Sequence, residues 1–132
     1  MSHKETMTNR DVLELMLKYA DEVEGTIKRF GDDYQLFVND FVYYNALSMP
    51  IYQFAEQSLN LSENVKKLFG EINWHPIRGM RNLFAHAYGS MSPIDIWETA
   101  HEDLPELKTQ LRQILADQSP ILNETADGRK ND

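Results

Sequence analysis

Residues 78–89, RGMRNLFAHAYG, bring together four side chains able to do chemistry: Arg81, Asn82, His86 and Tyr88. They place a fixed cation, an amide, a titratable imidazole and a phenol within eight residues. Arginine offers planar, bidentate donors to phosphate oxygens, and histidine exchanges a proton near neutral pH. Arg78, one helical turn earlier, either extends this cationic surface or is a solvated or salt-bridged arginine. No Asp or Glu occurs from Ile72 to Ile94, although the whole chain carries a net charge of −8. Such a gap in negative charge suits a phosphate-facing surface, because nearby carboxylates would repel the ligand. The same residues also fit an ordinary helix end with a buried arginine and a capping histidine. Spacing alone leaves both readings open.

The elements that must position these groups are helical. Thr8 is placed to cap a first helix, with Asp11 in its first turn, and Val12, Met16, Tyr19, Val23, Ile27 and Phe30 follow steps of three and four. Gly31 should stop it. Asp32 or Asp33 caps a second segment, a short helix that runs or breaks into a longer one, whose apolar stripe goes from Leu36 to Leu59, and Pro50 in its middle predicts a kink or break. Ser62 starts a short helix that Gly70 ends, and Asn73 caps the motif helix, with Pro76 tolerated in its first turn. That helix should finish near Ala87, with Gly89 free to take a positive φ. Ser92 and Pro93 open the last long helix, which Pro105 should bend, and residues 118–132 read as a polar, frayed tail. Strand and repeat signals are missing, so the expectation is an all-α, antiparallel bundle of four to five helices over residues 1–117.

Bulk properties narrow the function classes. At 132 residues the chain is long enough for one hydrophobic core. The acidic balance argues against a general basic-patch nucleic-acid binder, and the lack of cysteine removes disulfides and thiolate metal sites. The polar start and the lack of a long apolar run predict a cytoplasmic protein with no membrane span.

With the motif set at a helix end in an all-α chain, Arg81-Asn82-Leu83-Phe84-Ala85-His86-Ala87-Tyr88 resembles the R-x4-H-x-Y signature of HepT toxins. These belong to the HEPN superfamily of small helical ribonucleases. Arg10-Asp11, Ala55-Glu56, Trp74, Ile77 to Asn82, Ile96-Trp97 and Glu102 to Leu107 look like further landmarks, so the resemblance covers about residues 10–115. Pro50 departs from the uninterrupted helix usual in such chains. The resemblance implies a homodimer whose two motifs face a shared cleft, an RNA substrate, and no cofactor. It also implies an MntA-type nucleotidyltransferase antitoxin that transfers AMP from ATP to the motif tyrosine, here Tyr88.

Metal-independent RNA cleavage needs a base for the ribose 2′-hydroxyl, an acid for the leaving 5′-oxygen, and charge stabilisation at phosphorus. His86 can be base or acid, Arg81 can bind the phosphate, and Asn82 can position the phosphate or orient His86. In a regular helix Arg81 and His86 lie ~140° apart, so they share a face only if the helix frays or two chains combine. Tyr88 is either an amphipathic tyrosine at a helix stop or a nucleotidyl acceptor. A non-catalytic helical module that binds a nucleotide or substrate for a nucleotidyltransferase is the competing function. Glu98-x-x-His101 matches one half of a di-metal bundle site, but no second such pair occurs, so a surface pair beside Trp97 is the simpler reading.

Overall fold

The computed structural model describes residues 6–131, which form an all-α helical bundle. In chain order the helices are α1 (Asn9–Phe30), α2 (Tyr34–Asn39), α3 (Phe41–Ser58), α4 (Glu63–Leu68), α5 (Trp74–Ala87), α6 (Pro93–Glu98) and α7 (Leu104–Asp117). Among the described residues no strand forms; one isolated antiparallel bridge joins Thr8 to Thr125. No described helix is long and apolar enough to cross a membrane.

α1 begins where its sequence says it should. The Thr8 hydroxyl accepts from the Asp11 amide and the Asp11 carboxylate accepts from the Thr8 amide, a reciprocal cap. Gly31 ends it at φ 111°, a conformation that an L side chain rarely adopts. Val12, Leu13, Met16, Ala20 and Val23 of α1 are buried against Leu47, Ile51, Phe54 and Ala55 of α3 in one core. α5 packs on the other side of α3, and α7 on α1. Each large side chain buried this way contributes roughly 1.5–3 kcal/mol. An aromatic cluster closes one end, with Tyr43 stacked on Phe30 at 4.8 Å and Phe37 5.2 Å from Trp97.

Several local expectations are corrected. The break in the second segment falls at Asp40, not at Pro50: the Asp40 carboxylate accepts from the Val42 and Tyr43 amides and starts α3 afresh. α3 then continues through a buried Pro50, because its neighbours Leu47, Ile51 and Phe54 are held in the core on both sides of the lost backbone bond. Gly89 does not adopt a positive φ; α5 passes into a 3₁₀ turn over Tyr88–Ser90. Asn73 and Ser92 occupy cap positions without making side-chain cap bonds. Ahead of Pro105 the helix widens into a π turn over Thr99–Asp103, where the Leu104 amide reaches back to the Thr99 carbonyl. This wider turn accommodates the proline without ending the helical run.

The C-terminal segment departs most from the reading of a frayed tail. Leu122 is fully buried, the Asn9 amide donates to the Glu124 carbonyl at 2.9 Å, and the Ala126 amide donates to Met7 at 2.8 Å. Asn9, itself buried, donates to Ser62 and to the Ile121 carbonyl and accepts from the Ser62 amide, so it ties α1, α4 and the tail together. A polar composition with one or two apolar anchors is enough here, because the backbone finds partners in already folded parts.

Candidate functional site

α5 carries the motif on two different faces. Trp74, Ile77, Arg81, Phe84 and Tyr88 alternate by steps of three and four, the stripe by which a helix lies on a neighbour. Ile77 and Phe84 are buried on α3's side of the bundle, and Tyr52 of α3 lies 5.9 Å from Phe84 ring to ring. Arg81 belongs to this stripe. Its Nε donates to the Glu56 carboxylate of α3 at 2.8 Å, and its Nη1 donates to Asn82 Oδ1 at 3.2 Å. The arginine side chain is only 26% exposed. The guanidinium is thus held in place at the α3–α5 seam.

His86 is exposed, and α5 remains helical past it to Ala87, so the helix does not fray in the way that would bring His86 beside Arg81. One chain therefore presents the cation and the imidazole ~140° apart around one helix. Asn82 is exposed next to Arg81, and Arg78 lies near Ser58, Lys66, Trp74 and His75 in a surface pocket at the start of α5.

Tyr88 stands at the end of the stripe. Its hydroxyl donates to Asn45 Oδ1 at 2.5 Å, and its ring lies 5.9 Å from Tyr44 and 6.0 Å from Phe84. Beneath it a cavity of about 260 Å³ is lined by Asn45, Ser48, Met49, Tyr52, Phe84 and Tyr88, and the buried Ser48 hydroxyl has no hydrogen-bond partner there. Tyr44 has its phenol pKa raised, first by burial and then by the neighbouring Tyr88 and Tyr34.

Glu56 is the residue whose role sequence reasoning passed over. Burial pushes its carboxyl pKa up, but hydrogen bonds from Arg81 and Arg129 outweigh burial and leave it lowered. The available signal was its isolation: α3 contains no other charged residue from Phe41 to Ser58. A lone carboxylate in an apolar helix needs a partner.

Of the Glu98–His101 pair, the histidine is engaged elsewhere. His101 Nδ1 meets the Trp97 carbonyl at 2.8 Å, Nε2 meets Asp32 at 2.7 Å, and the ring lies 4.1 Å from Trp97. Among the described residues no group of three or more His, Asp or Glu side chains is placed to hold a metal ion.

The sequence profile of the family described as ribonuclease HepT-like matches residues 16–114, which include all of α3 and α5. The chain belongs to the ribonuclease HepT-like family. A relative named as a candidate RNase in Caldanaerobacter subterraneus subsp. tengcongensis is 32% identical over 108 residues, 82% of this chain and 95% of the relative. Another, likewise named, from Methanocaldococcus jannaschii is 25% identical over 114 residues, 84% of this chain and 97% of its own. A protein from Thermococcus cleftensis, named for ribonuclease HepT, is 33% identical over 60 residues, 46% of this chain and 54% of its own. No solved structure gives a significant match. The family match ends inside α7, and residues 115–132 lie outside it.

Proposed function

We propose that this chain is the toxin of a toxin–antitoxin pair, a metal-independent RNA endonuclease that acts as a homodimer. Arg81 and His86 are its catalytic residues, and Asn82 and Arg78 support them. The observation that carries this reading is the division of the motif. Arg81 is fixed at the α3–α5 seam while His86 projects from another face of the same unbroken helix. Two chains brought together across a symmetric interface can place one chain's arginine and the other's histidine on a single phosphate. Phe41 and Met49, 78% and 57% exposed on α3, and Leu83, 53% exposed on α5, supply apolar surface for that interface.

In the reaction the base removes the 2′-hydroxyl proton, the 2′-oxygen bonds to phosphorus, and the bond from phosphorus to the 5′-oxygen breaks. The leaving oxygen takes a proton from the acid. Products are a 2′,3′-cyclic phosphate and a 5′-hydroxyl, with Arg81 facing the negative charge that builds on the phosphate oxygens. Silencing follows when an MntA-type nucleotidyltransferase antitoxin acts on Tyr88. The Tyr88 oxygen attacks the α-phosphorus of ATP, pyrophosphate leaves and the phenolic proton is lost. The attached AMP brings one negative charge and steric bulk to a surface meant for RNA phosphate.

The test is cleavage of an RNA oligonucleotide in the presence of EDTA. Wild type is expected to cleave, and Arg81→Ala and His86→Ala to lose ~10²–10⁴-fold in rate with unchanged helical content. In parallel, antitoxin and ATP should add AMP to the Tyr88 peptide and not to Tyr88→Phe. Folded, fully active alanine variants refute the catalytic assignment; AMP on another tyrosine refutes the silencing.

The cavity under Tyr88, with its partnerless Ser48 hydroxyl, favours one second reading: a non-catalytic module that holds a nucleotide for a nucleotidyltransferase. Nucleotide binding by a wild-type protein that cleaves no RNA would establish it instead.

A further inference from the structure

The cavity beneath Tyr88 has flat walls and a polar lining that nothing in the fold uses. It occupies about 260 Å³ between α3 and α5. Tyr52 and Phe84 lie 5.9 Å apart with their rings tilted by 32°, and Phe84 and Tyr88 lie 6.0 Å apart, stacked within 27°. Ser48, 2% exposed, forms part of the lining, and its hydroxyl has no hydrogen-bond partner. A buried hydroxyl without a partner costs free energy that the polar edge of a ligand can recover. Asn45 adds an amide to the rim: its Oδ1 accepts from the Tyr88 hydroxyl, which leaves the two N–H donors of the amide for a ligand.

Charge and shape together select the occupant. Among the described residues, none that lines the cavity is charged. A phosphate, carboxylate or ammonium group would lose its water there and find no counter-charge. An uncharged planar ring with donors and acceptors on its edge fits instead. This is the chemistry of a nucleobase, which stacks on aromatic side chains and hydrogen-bonds through its edge. The cavity also adjoins the motif. Phe84 and Tyr88 lie three and seven residues beyond Arg81 on the same stripe of α5, about 4.5 and 10.5 Å of helical rise.

We propose that this cavity is a nucleobase site: it takes one unpaired base of the RNA beside the scissile phosphate, with Tyr52, Phe84 and Tyr88 as stacking walls and the Ser48 hydroxyl as hydrogen-bond partner. The site rests on the ribonuclease reading above. It makes unpaired RNA the substrate, because a base held in a duplex has no free face to stack. It also gives binding one position along the strand that depends on its base. The adenine of an AMP on Tyr88 shares this chemistry and would compete for the same walls.

The experiment uses the full chain without antitoxin, as wild type, Ser48→Ala and Tyr52→Leu. Affinity is read for a single-stranded RNA oligonucleotide with 2′-deoxyribose at the scissile position, which binds without being cut. It is read again with one base at a time removed to leave an abasic sugar. For wild type, one abasic position adjoining the scissile phosphate should weaken binding by about 10-fold, within the scale of base–aromatic stacking, and the others by less than about 2-fold. Tyr52→Leu keeps apolar volume but loses the flat face, and Ser48→Ala loses only the hydroxyl. Each should weaken the intact oligonucleotide by about 5-fold. On the oligonucleotide that lacks the sensitive base neither change should matter, since residue and base form one interacting pair.

Thermal melting separates lost recognition from lost stability. Ser48→Ala removes a hydroxyl without a partner in the fold, so its melting temperature should hold or rise while its affinity falls. Equal losses at every abasic position, or variant losses that persist on the abasic oligonucleotide, overturn the proposal. So does a dimer that falls apart in light scattering in both variants, which makes the cavity a packing site for a second copy. Free AMP that binds wild type but not Tyr52→Leu, with RNA binding alike in both, assigns the cavity to a mononucleotide and overturns the RNA assignment. A wild type that cuts no RNA yet shows one base-sensitive position keeps the base site and brings down the ribonuclease reading alone.

Discussion

If one site needs Arg81 from one protomer and His86 from the other, two dead variants should repair each other. Arg81→Ala and His86→Ala each lack one half, and each homodimer should be inactive. Subunit exchange at equal amounts makes about half of the dimers mixed. In a mixed dimer one composite site lacks both groups, while the other has the arginine of the His86→Ala chain and the histidine of the Arg81→Ala chain. One intact site in two, in half of the dimers, predicts about a quarter of wild-type activity. The basis is geometric: Arg81 is pinned to Glu56 at the α3–α5 seam, and α5 stays helical through His86. The converse mixture adds a check. A double-alanine chain mixed in equal amount with wild type spoils both sites of every mixed dimer, so activity per wild-type chain should fall to about half. The assay is steady-state cleavage of a fluorogenic RNA oligonucleotide after subunit exchange, with dimer content followed by light scattering. Two outcomes refute the reasoning: a complementing mixture that stays dead, or a double-alanine chain that leaves wild-type activity untouched. Either would mean that each chain assembles its own site.

Further predictions concern the elements that hold the site. Asn9→Ala leaves the Ser62 amide and the Ile121 carbonyl without their buried partner, which should destabilise the fold by about 1–3 kcal/mol in urea denaturation while the motif chemistry stays intact. Glu56, whose carboxyl is lowered from its ordinary 4.5 by Arg81 and Arg129 against the opposing effect of burial, contributes stability that is fully present above that value. The contribution is lost as pH falls through the lowered folded-state value, so the stability gap between wild type and Glu56→Gln should close only below 4.5. Acid titration of the denaturation midpoint checks this; a gap that closes already at neutral pH would contradict it.

Local structure was legible wherever its cause is local. The Thr8–Asp11 cap, the Gly31 stop and the apolar stripes of α1 and α7 depend on residues no more than a few positions apart, and the pattern displays them. The family resemblance was legible for the same reason, since it was read from eight consecutive residues, 81–88. Pro50 shows the limit of that reasoning. Its local tendency to break a helix lost to the burial of Leu47, Ile51 and Phe54, while the break went to Asp40, a better cap.

What only the tertiary structure decided are the pairings across the sequence. Glu56 meets Arg81 and Arg129, His101 meets Asp32, and Asn9 meets Ser62 and Ile121. None of these follows from spacing, because each depends on which helix faces come together once the core has packed. The polar tail is the sharpest case. Its composition signals disorder, yet Leu122, Gly128 and Arg129 each fit a place that exists only after α1, α3 and α4 have assembled. A chain can announce its helices residue by residue, but a side chain's partner is fixed by the surface that the rest of the fold presents to it.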